Sequence, residues 1–217
     1  MGDILQLIKK DLKVESRARY AVTVALSFAL SIVFMLTIAL GGVAPTVRMN
    51  AALIWITIFF ASSQIVPHLF VRECEEETEL LIHLRFMPRH IFMSKLICMM
   101  ILLLPVTSLT VVLYLFFLSV RPHNLLLFVA LAFTGTCALA CAGALSASIA
   151  SRARGKGALS ALLSVPAVLP LLVVLVSGTA QAIAESRVNY SDVVFVVSYG
   201  AIIAAVSVIL FEYIWKD

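Results

Sequence analysis

Apolar residues run through this chain in six long stretches broken by short polar interruptions. Tyr20–Val47, Met49–Val71, Leu96–Val120, Pro122–Ser151, Gly157–Ala184 and Val193–Phe211 contain no Asp, Glu, Lys or Arg. About 20 consecutive apolar residues cross a bilayer as an α-helix. The runs are continuous rather than alternating, which disfavours a membrane β-barrel. The pattern predicts an all-α, polytopic membrane protein with six transmembrane helices.

A second periodicity precedes the first run. In residues 3–15, DILQLIKKDLKVE, the apolar side chains Ile4, Leu5, Ile8 and Leu12 recur at helical spacing, with Lys9, Lys10 and Lys13 between them. This predicts an interfacial amphipathic helix, apolar side in the membrane and lysines toward phosphate headgroups. Residues 1–19 form that cytoplasmic segment and residues 20–217 the six-helix membrane domain. The first run is not expected to be a cleaved signal peptide, because its leader carries Asp3, Asp11 and Glu15 and the run is long enough to span.

Composition agrees with lipid as solvent. Of 217 residues, 62% are hydrophobic and 13% charged, against roughly 25% charged in soluble domains. The net charge of +4 does not point to nucleic acid, since the cations are scattered between apolar runs. They set orientation instead. With the N-terminus inside, Lys9, Lys10, Lys13, Arg17, Arg19, Arg72, Arg85, Arg89, Lys95, Arg152, Arg154, Lys156 and Lys216 are cytoplasmic, and only Arg48, Arg121 and Arg187 are outside. Both termini are therefore expected in the cytoplasm of a bacterial-type inner membrane.

The exception to the apolar character is VRECEEETELLIHLRFMPRH, residues 71–90, within a cytoplasmic coupling segment expected at 72–95. Glu73, Glu75, Glu76, Glu77 and Glu79 come first and Arg85 last, the order a helix dipole favours. Leu80, Leu81 and Leu84 give it an apolar stripe, and Met87-Pro88 should stop it, with Pro88 opening the next helix. One exposed helix seldom supplies a converging metal-ligand set. The remaining readings are a solvated charged face and a docking surface for a cytoplasmic partner with a basic-rimmed groove. The apolar stripe supports docking, with Glu73, Glu75, Glu76, Glu79, Leu80 and Leu84 as the contacting residues.

Other features are open to more than one reading. Ala140, Ala144 and Ser148, with Gly143, Ala147 and Ser151, form small-residue rows in the fourth run that suit close helix packing within or between subunits. Pro166 and Pro170 favour a kink in the fifth run, static or lining a path. Cys137 and Cys141 share a helix face as packing residues or a metal pair, with packing the commoner outcome. His123, on the outer side, would cap a helix end or ligate a metal. There is no GxxxxGK[ST], HExxH or GxSxG pattern, and Ser146 has no evident base. No catalysis and no resident cofactor or metal are expected. The scarcity of ionisable groups deep in the runs weakens an ion-coupled carrier reading.

An amphipathic start, six spans and an acidic helix between spans two and three resemble the permease of a type-2 ABC exporter. The chain is more particularly similar to the haem exporter protein B family of cytochrome c maturation. Three stretches carry this: LIKKDLKVESRAR; LIWITIFFASSQIVPHLFVRECEEETELLIHLRFMPRHIFMSKL; and SRARGKGALSALLSVPAVLPLLVVLVSG. It departs from the family pattern in lacking a glycine after the acidic cluster and in carrying Arg89-His90 after the proline. The resemblance implies a cytoplasmic ATP-binding subunit, two of each chain, which alone would bind ATP. It also implies a haem-handling membrane protein, a small helper subunit and a haem chaperone, with haem as cargo. A type-2 permease for a lipid, polysaccharide or drug, and a non-transporting membrane scaffold, are the alternatives.

Overall fold

In a computed structural model, the backbone is described for residues 2–18, 20–75, 87–152, 156–184 and 190–214, and side chains for residues 4–15, 20–65, 87, 89–147, 166–184 and 190–211. Among the described residues every element is an α-helix. They are α1 (Gly2–Ala18), α2 (Tyr20–Leu40), α3 (Val47–Glu75), α4 (Pro88–Phe117), α5 (Leu125–Arg152), α6 (Lys156–Ala184) and α7 (Ser191–Ile214). The all-α class follows from the long apolar runs, because helices satisfy their own backbone in lipid.

Among the described residues, five helices hold stretches long and apolar enough to cross a membrane: Tyr20–Leu40, Arg89–Phe117, Leu125–Ala147, Pro166–Ala184 and Ser191–Phe211. The sixth expected run, Met49–Val71, lies in α3, a helix of 29 residues whose side chains are described only as far as Ile65. α3 lies against α2, α4, α5 and α6, and it buries Ala51, Ile54, Trp55, Ile58, Ala61 and Ile65. Protein neighbours on these sides accommodate its polar residues Asn50, Thr57 and Ser62.

Helix α5 is the other central element, touching α3, α4, α6 and α7. Its small residues Ala140, Gly143, Ala144 and Ala147 are all buried within this subunit, so the rows seen in the sequence serve internal packing. Gly200 of α7 comes so close to Ala138 of α5 that a Cβ would stand 3.1 Å from the alanine methyl. The more peripheral α2 and α7 present Phe34, Met35, Ile38, Val194, Ile202 and Ile209 outward.

The helix ends follow their local chemistry. α2 stops at Gly41 and Gly42, whose φ values of +54° and +86° lie in the left-handed region that favours glycine. Met87 is the extended N-cap of α4 and Pro88 its first helical position, as the sequence leads one to expect. Asn124 accepts from the Leu127 amide through Oδ1 at 3.0 Å and so caps α5.

Candidate functional site

The acidic segment is only partly described. α3 runs without a break through Glu73 to Glu75, so these first acids continue the helix that holds the second apolar run. Arg72, Glu73 and Glu75 are all compatible with continued helix. Glu76, Glu79, Leu80 and Leu84 lie outside the described residues. At the far end of the segment, Arg89 and Lys95 belong to α4, which opens at Pro88 as expected.

The same end of the bundle contains α1, which packs on α4 and touches α2. Leu7 of α1 is buried and Leu12 packs against the core, while Leu5 is 57% exposed. Leu7, Asp11 and Glu15 follow at helical spacing of four, so the packed side of α1 also carries a stripe with two acids. Glu15 is 8% exposed, and its Oε1 accepts the Ala21 amide at 3.1 Å, tying α1 to the first turn of α2. Asp11 has a 3.7 Å ion pair with Lys10. Lys95, one helix away, is 3% exposed. An apolar-periodicity reading discards this stripe, because two of its three positions are charged.

Deeper in the bundle, α3 is fixed by neutral polar contacts. The Trp55 indole donates to Thr179 Oγ1 of α6 at 2.8 Å. The ring lies over Gly135 of α5, where a Cβ would stand 2.3 Å from the indole edge and 2.7 Å from Leu175. Toward the loop end, the Tyr114 hydroxyl donates to Asn50 Oδ1 at 3.1 Å, and Asn50 Nδ2 donates to the Pro45 carbonyl at 3.1 Å. Several buried hydroxyls (Thr110, Thr136, Ser146 and Ser207) donate to the carbonyl four residues back in their own helix. Ser146 is thereby occupied structurally.

The two prolines of α6 are both exposed on the outside of the bundle, and the helix continues through them. Proline disturbs carbonyls in the preceding turn. The Ala167 carbonyl, three residues before Pro170, accepts the Tyr199 hydroxyl of α7 at 2.8 Å. The carbonyl that Pro170 leaves without a helical donor is that of Pro166, one residue earlier, so the Tyr199 bond ties α7 to α6 beside the proline turn. His123 bonds through Nδ1 to the Ile183 carbonyl at 3.0 Å, next to the Asn124 amide on the Ala182 carbonyl. It caps the end of α6. Cys98, Cys137 and Cys141 are free thiols.

A bundle of long apolar helices around a shared core, with a further helix against one end, defines a multi-pass membrane protein. The profile of the family described as CcmB protein matches residues 3–214, nearly the whole chain. The chain belongs to the CcmB family, the haem exporter protein B of cytochrome c maturation. A search of curated proteins gave no match. Membership implies a haem-export permease role, that of a transport subunit rather than an enzyme. It also implies ABC-transporter partners such as the CcmA ATPase and other Ccm proteins.

Proposed function

We propose that this chain is the membrane half of an ATP-driven complex in which a separate cytoplasmic subunit binds and hydrolyses ATP. Hydrolysis there would drive release of haem-loaded chaperone, or passage of haem, on the other side. The observation that carries the reading is the family match over residues 3–214. In this reading α3 is the sixth span, supported by its position among four membrane helices. Both termini are cytoplasmic in an inner membrane, supported by the thirteen-to-three distribution of Lys and Arg. Residues 1–19 lie at the interface, residues 20–217 form the permease domain, and 72–95 is the coupling segment.

The docking residues are Glu73, Glu75, Glu76, Glu79, Leu80 and Leu84. The carboxylates would meet basic residues of the ATPase and the leucines its groove. A continuous α3 supports a mechanical role, because its last acids are rigidly joined to the helix that holds Trp55. The complex contains two of each chain. Haem is cargo, and the haem-handling protein, helper subunit and chaperone are partners through the complex.

Reversal of Glu75 and Glu76 to Lys tests the docking assignment. Co-purification of the ATP-binding subunit in mild detergent should be lost while insertion of the permease is unchanged. Undiminished co-purification would sink the assignment. A complex that contains ATPase but never haem-handling proteins would remove haem from the reading.

A further inference from the structure

We propose that the acidic stripe of α1, Asp11 and Glu15, is balanced by Lys95 of α4, and that this charge lock makes α1 move with the base of α4. The coupling part of the proposal rests on the permease reading; the lock itself does not. Among the described side chains, Glu15 and Lys95 are the only charged ones classed as buried. They have opposite sign, and they stand on two helices packed on each other. Asp11, Glu15 and Lys95 are all within electrostatic range of the same thiol, Cys98 of α4. Glu15 and Lys95 are thus buried on facing sides of the α1–α4 contact, with Cys98 as a shared neighbour.

Burial of a lone charge is costly, and removing one partner of a buried pair leaves the other uncompensated. The stripe at positions 7, 11 and 15 is therefore retained against a cation, with Lys10 serving the exposed side of Asp11 at 3.7 Å. Glu15 has a second task through Oε1, since it holds the Ala21 amide. One carboxylate thus ties α1 to the start of α2 while lying on the side of α1 that packs on α4. Lys95 lies eight residues into α4, the first helix after the acidic segment. Any displacement of that segment passes to Lys95 and from there to α1. Asp11, Glu15 and Lys95 are positioning residues in this scheme, none of them touching cargo.

The test uses Lys95→Met alone and combined with Asp11→Asn or Glu15→Gln, the glutamine keeping an acceptor for the Ala21 amide. The first readout is trypsin cleavage at Lys9, Lys10 and Lys13 of α1 in the purified, detergent-solubilised protein. Lys95→Met should speed cleavage by about tenfold, and at least one of the acid neutralisations should return it to near the wild-type rate, because removing both partners removes the imbalance. If Lys95→Met fails to accumulate, the same logic requires a double variant to restore accumulation. Double variants no better than Lys95→Met would overturn the lock. Cleavage unchanged in Lys95→Met would overturn it too.

The second readout is cytochrome c maturation against ATPase activity in the assembled complex. Lys95→Met should keep hydrolysis but lose maturation, and the restoring double variant should recover it. Maturation unaffected by an undocked α1 would overturn the coupling role. If the wild-type protein carries no ATPase at all, the permease reading fails while the trypsin result still decides the lock.

Discussion

At the centre of the bundle, α3 is held by an indole on a glycine and by neutral hydrogen bonds. At the α1 end, one buried carboxylate, Glu15, and one buried lysine, Lys95, stand on two helices packed on each other. Both regions bury polar groups, yet the central groups are shape-fitted and paired one to one, as Trp55 Nε1 is with Thr179 at 2.8 Å. The end groups carry net charge. The difference teaches which contacts set the fold and which can transmit a signal. Neutral, close-packed contacts change stability steeply with volume, while charged contacts respond to any change in the balance of charge around them.

The largest effect that would test this contrast is expected at Trp55. Trp55→Ala leaves a cavity among α3, α5 and α6 and should cost about 3–5 kcal/mol, read as a lower unfolding midpoint in mixed micelles. Gly135→Ala attacks the same contact from the other side. Its Cβ meets the indole edge and Leu175, so overpacking of about 1–3 kcal/mol is expected. The two should be non-additive, since they share one contact; strict additivity would show that the ring moves away from Gly135 freely.

A smaller and more local effect is expected at the other region. Glu15→Ala removes the acceptor of the Ala21 amide, worth about 1 kcal/mol for a helix cap, whereas Glu15→Gln keeps it. Hydrogen exchange at the start of α2 should rise in the alanine variant and not in the glutamine variant. Equal behaviour of the two would show that the cap at Ala21 is not what Glu15 supplies. The mildest expectation is Tyr114→Phe, which loses the bond to Asn50 and should cost about 0.6 kcal/mol, the average for such bonds between membrane helices. A cost several times larger would mean that Asn50 needs Tyr114 to stay buried.

Much of the architecture can be read from one dimension. Continuous apolar runs become helices because lipid leaves the backbone no other partner, and Met87-Pro88 opens α4 through its own stereochemistry. The small residues of α5 were visible as rows, but only packing shows that Ala140 and Ala144 turn into this subunit. Glu15 and Lys95 were passed over because charge near a membrane ordinarily reads as interface, and burial depends on a helix from elsewhere in the chain. The same holds for Asp192. It sits in the first turn of α7, a favourable site for an acid, with Oδ2 buried against Gly178 and, among the described residues, without a hydrogen bond. The docking residues beyond Glu75 rest on sequence and family alone, as they lie outside the described residues.

The composition of α3 has a consequence for how the protein is made. Trp55 finds its partner 124 residues later in the chain, and Asn50 its partner 64 residues later. At a synthesis rate of about 5–20 residues per second, the ribosome needs roughly 6–25 s to travel from Trp55 to Thr179. During that interval the least lipophilic helix of the bundle must wait for the walls that will enclose it. Biogenesis of this protein is therefore a matter of timing, and the step at which α3 is handed from the insertion machinery to its own later helices is the one most exposed to quality control.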